Sequence, residues 1–248
     1  MSNATSSVII LLTVFGGALL GMFLRAVLPQ DHLSGDAKDT VRVGIGLVLT
    51  ITALVLSLLI ASAKSYFDAQ STELTNMAAN AVVLDRILAH YGPPANEARG
   101  ELRDLVVRVL EQMWSKEGGA MVPGSDVKEA LYDKLQGLSP QNDAQRSMQA
   151  QALSTALALG QTRWLMYEQS AAGISTPLLL VMVFWLTIAF TSFGLFSPRN
   201  LTVAIGLFLC ALAASGAVLM ILEMYSPFTG LIHISDAPLR AALAQLGR

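Results

Sequence analysis

Four stretches of this chain carry no Asp, Glu, Lys or Arg: 8–24, 43–63, 178–196 and 201–222, which run 17, 21, 19 and 22 residues. A helix needs about 20 apolar residues to cross the hydrocarbon core of a bilayer. The last three stretches meet that length, and Ser7 and residues 26–28 complete the first. A soluble fold would have to bury four helices that are apolar on every side. In lipid, each such helix satisfies its own backbone groups. The pattern predicts an all-α integral membrane protein with four transmembrane helices. The charged fraction of 14% agrees, since a soluble domain carries about 25%. The first stretch reads as a retained span rather than a cleaved signal. Residues 1–7 lack the basic start, and Arg25 and Pro29 stand where small residues would be needed.

The spans divide the chain into a first transmembrane pair (1–63), a helical extramembrane domain inserted between the second and third spans (64–177), a second pair (178–224) and a C-terminal tail (225–248). In the inserted domain Phe67, Gln70, Leu74, Met77, Ala81, Leu84, Leu88 and Tyr91 recur at spacings of three and four. They mark one packed face of a helix that continues the second span. Gly92-Pro93-Pro94 stops it. A second helix is expected over 97–116, packing through Leu102, Leu105, Val106, Val109 and Met113. Gly118-Gly119 and Pro123-Gly124 read as a loop, and Ser125 or Asp126 as the cap of a short helix. Ser139-Pro140 reads as the start of a further helix, with Leu153, Leu157, Gly160 and Trp164 as its packing face. Thr176-Pro177 is the same start signal at the third span.

Signals of chemistry are sparse. His32, His90 and His233 stand far apart with no partner at metal-ligand spacing. No nucleophile elbow or phosphate-binding glycine loop occurs. No metal, cofactor or enzymatic activity is expected. A net charge of −2 speaks against a nucleic-acid surface. The one cysteine, Cys210, lies in the fourth span as a small packing residue.

The second span is more informative. Gly46, Thr50, Ala53, Ser57 and Ala61 share one helix face with Lys64. Small, hydroxylated faces serve either close helix packing or a water-filled path. The adjoining bulky face, Leu47, Ile51, Leu54 and Leu58, suits lipid or a dewetting constriction. The fourth span has its own small face in Gly206, Cys210, Ala213 and Ala217, and it ends in Glu223. An acid there opposes the helix dipole. Either water or an ion pair with Lys64 would compensate it. Arg25, Arg42 and Arg199 lie at the opposite ends of the spans, as pore-mouth charges or helix-end anchors.

The run Glu223-Met224-Tyr225-Ser226-Pro227-Phe228-Thr229-Gly230-Leu231-Ile232-His233-Ile234-Ser235 resembles the E-x-x-x-P-F-x-G-x-I-x-[VI]-S signature of the bestrophin-like family of bacterial membrane proteins. Leu28-Pro29 with His32-Leu33, the stretch from Gly46-Leu47 to Asp68, and Leu84-Asp85-Arg86 with Tyr91-Gly92-Pro93 look similar to it as well. The resemblance implies a distant likeness to bestrophins, which are pentameric ion channels with the second span around an axial pore. It makes Pro227, Phe228 and Gly230 a family motif. Two departures stand out: the second span lacks an aromatic neck, and Thr229-Gly230-Leu231 replaces an acidic calcium clasp.

The expectation is a homo-oligomeric channel for small ions, with the second span lining the pore. It would be multi-pass in the inner membrane, with the helical domain and both termini cytoplasmic. The rival expectation is a non-conducting scaffold or sensor whose helical domain binds a soluble partner. A membrane enzyme would need a polar cluster within the spans.

Overall fold

The computed structural model describes residues 2–29, 35–114, 125–171 and 175–247. The chain runs α1 (Asn3–Val27), α2 (Gly35–Tyr91), a 3-10 turn (Pro93–Ala95), α3 (Asn96–Met113), α4 (Ser125–Gln136), α5 (Asp143–Ala171), α6 (Thr176–Phe196), α7 (Leu201–Met224) and α8 (Ala237–Gln245). There is no strand among the described residues. The apolar stretches of α1, α2, α6 and α7 are long enough to cross a membrane. Two compact units result. One comprises Met1–Ser65 with Ile174–Tyr225, and the other Tyr66–Gly173 with Ser226–Arg248.

The first unit is a bundle built on close approach. α1 packs along α6, where Gly17, Gly21 and Gly194 leave no room for a side chain. A Cβ on Gly21 would collide with the Thr191 carbonyl, and one on Gly194 with that of Ala18. In lipid, helices gain little from hydrophobicity against each other, so small residues that bring backbones together hold them. α1 also meets α7 through a buried pair of hydroxyls. Ser215 Oγ donates to the Ser7 carbonyl at 2.7 Å, and the two Oγ atoms lie 2.9 Å apart. Val14, Ala18, Met182, Phe190, Val218 and Ile221 complete the core.

The second unit has its own apolar core. Gln70, Leu74, Met77, Ala81, Leu84, Leu88 and Tyr91 are all buried along α2. Leu102, Val106, Val109 and Met113 of α3 face them, with Leu131 and Leu135 of α4 and Leu239 of α8. The buried Gln70 amide donates to Gln169 Oε1 at 3.0 Å, while its own Oε1 meets no hydrogen-bond donor among the described residues. The tail packs into this unit. Trp114 donates its indole N–H to the Ile234 carbonyl at 3.0 Å and meets Phe228 edge to face.

Two local expectations change. Ser139-Pro140 does not start α5. The helix begins at Asp143, after Asn142 Oδ1 accepts the Gln145 N–H at 2.8 Å. Gln145 Oε1 in turn accepts the Gln141 N–H at 2.8 Å, so the segment before the helix is held by side-chain hydrogen bonds at Asn142 and Gln145. The packing face of α5 is also displaced. Ala152, Leu159, Arg163 and Met166 are buried, while Leu157 and Trp164 are about half exposed at 53% and 50%. The buried set repeats at seven, four and three residues, a different phase of the same helix. His32-Leu33, Gly118-Gly119 and Pro123-Gly124 lie outside the described residues, as do Lys116 and the side chains of Ser125 and Asp126.

Candidate functional site

The site indicated by the sequence is the apolar part of α2. One face of it is used by its own unit: Ile45, Thr52, Leu59 and Ala63 are buried, with Val55 and Leu56 packed beside them. The Thr52 hydroxyl donates to the Val48 carbonyl at 2.7 Å, so its burial leaves no donor unmet.

Both stripes singled out in the sequence lie away from that face. Gly46, Thr50, Ala53, Ser57 and Ala61 are exposed, and so are Leu47, Ile51, Leu54 and Leu58. Gly46 has open space where a Cβ would sit. Thr50 Oγ1 donates to the Gly46 carbonyl and Ser57 Oγ to the Ala53 carbonyl, each at 2.8 Å. The hydroxyl protons are thereby held within the helix, and the oxygen lone pairs face outward. On α7 three of the four small-face residues are likewise outward, and Ala217 is half-buried. Gly206, Cys210 and Ala213 are exposed, while Ala211, Ser215, Val218 and Ile221 are buried.

The charged candidates separate by environment. Glu223 is buried, at 5% exposure, and Lys64 is exposed. Two residues beyond Glu223, the Tyr225 hydroxyl lies 3.2 Å from Ser62 Oγ. The Arg199 guanidinium donates to the Met22 carbonyl at 2.9 Å and to that of Phe23 at 3.3 Å, joining the α6–α7 turn to the C-terminal part of α1. Arg25 is half-buried and Arg42 exposed.

The motif around Pro227 is a turn. The Ile234 N–H donates to the Pro227 carbonyl at 2.7 Å, and the Thr229 N–H to that of Ser226 at 3.1 Å. Gly230 has φ 98°, a left-handed conformation that glycine adopts without steric cost. The motif thus turns the chain so that Phe228 reaches Trp114.

Reading the sequence missed a polar hub in the second unit. Asp85, buried on α2, accepts two hydrogen bonds from Arg99, at 2.8 and 3.0 Å, and one from the Gly247 N–H at 3.3 Å. This paired geometry raises the Arg99 pKa above its ordinary value, chiefly through the hydrogen bond to Asp85. Outside it, Lys134 Nζ lies 2.6 Å from Glu97 and lowers that carboxyl's pKa in solvent. Arg163 on α5 is buried as well, at 8% exposure. The acid next to a core leucine in Leu84-Asp85 was the available clue to the hub. The Gly17-x-x-x-Gly21 spacing was the clue to the α1–α6 contact.

The bestrophin-like domain model matches residues 12–239. No curated protein and no solved structure gave a match. Four helices apolar enough to cross a bilayer, together with that match, mark a membrane protein. With nine-tenths of its length inside the family model, the chain belongs to the bestrophin-like family.

Proposed function

We propose that this protein is a homo-oligomeric ion channel in which α2 helices from several subunits surround an axial pore. The observation that carries the reading is the uncovered stripe Gly46, Thr50, Ala53, Ser57 and Ala61. It is small and hydroxylated, its own chain does not pack against it, and its outward oxygen lone pairs suit a hydrated path. Family membership supports the reading by its distant likeness to bestrophin channels. Leu47, Ile51, Leu54 and Leu58 then meet lipid or a neighbouring subunit. The proposed setting is the inner membrane, with the helical unit and both termini in the cytoplasm.

The test is subunit number by particle imaging in nanodiscs, followed by ion flux in liposomes. A closed ring with an axial hole and measurable flux supports the channel. Ser57→Leu is expected to reduce conductance at least tenfold without changing subunit number, and unchanged currents would remove this stripe from the pore. The rival reading is a non-conducting scaffold or sensor. It draws on the half-exposed Leu157, Trp164 and Leu165 of the helical unit, and a monomer or a compact dimer without an axis would favour it.

A further inference from the structure

We draw no further inference here: the strongest candidate, the half-open apolar groove of the helical unit between α3, α4 and α5, edged by the half-exposed Leu157, Trp164 and Leu165, carries none because nothing in the structure shows what covers it.

Discussion

A carboxylate buried among apolar helices is tolerable only when its charge is met, and Asp85 is met by Arg99 and by the Gly247 N–H. Asp85→Ala would remove the carboxylate that accepts from the largely buried Arg99 guanidinium and from the Gly247 N–H. Removing one partner of a buried pair costs about 3–5 kcal/mol. The helical unit of the variant is expected to lose that stability in denaturant unfolding, and a loss below about 1 kcal/mol would mean that water replaces the carboxylate. Glu223 poses the same problem at the end of α7, where its charge opposes the helix dipole. We propose that Lys64 supplies the compensation. In a double-mutant cycle of Lys64→Met and Glu223→Gln, a coupling above about 0.5 kcal/mol is expected, and additive single effects would remove the pair. Glu223 was recognisable in the sequence as a charge needing compensation. Asp85 was not, because its counter-ion arrives from the following helix and its third contact from the far end of the chain.

Among the elements, α1 and α6 depend on backbone proximity. Gly21→Ile would drive a branched side chain into the Thr191 carbonyl. Overpacking of this kind costs about 1–3 kcal/mol even where side chains alone must shift, so a larger loss is expected here. Gly16→Ile, on the same helix with open space around it, is expected to be nearly neutral. Thermal stability of the two purified variants compares them directly, and equal losses would place the α1–α6 contact elsewhere. The α2 stripe was legible because its apolar residues all face one core. The α5 face was misread in phase: Leu157 and Trp164 are half exposed beside an open groove, while Ala152, Leu159 and Met166 are buried. Periodicity identifies an apolar face without saying whether it meets a neighbour or a space.

At the scale of the whole molecule, α2 belongs to both units, with an apolar segment ending near Ala63 in the first and a segment to Tyr91 in the core of the second. The channel reading expects a ring of subunits, with the uncovered stripe of α2 turned to its axis. Subunit number is therefore the measurement on which it stands, and Ser57→Leu then separates a pore face from a lipid face. A ring without flux would retain the assembly and reject conduction.

What the sequence by itself determined was the class of protein. Charge-free runs of bilayer length admit few folds, because backbone polar groups in lipid must be satisfied within each helix. The positions of α1, α2, α6 and α7 followed from the same runs, and that of α3 from a three–four spacing that any amphipathic helix obeys, whereas the start of α5 and the whole of α8 did not. Only the tertiary structure decided which small residues touch. Gly17, Gly21 and Gly194 meet backbone, while Gly46, Gly206 and Ala213 face outward, although all are alike in sequence. Only the tertiary structure brought Arg99 to Asp85, docked Phe228 on Trp114 and left an open groove beside Arg163. These arrangements depend on the relative phase of separate helices, which no local pattern encodes.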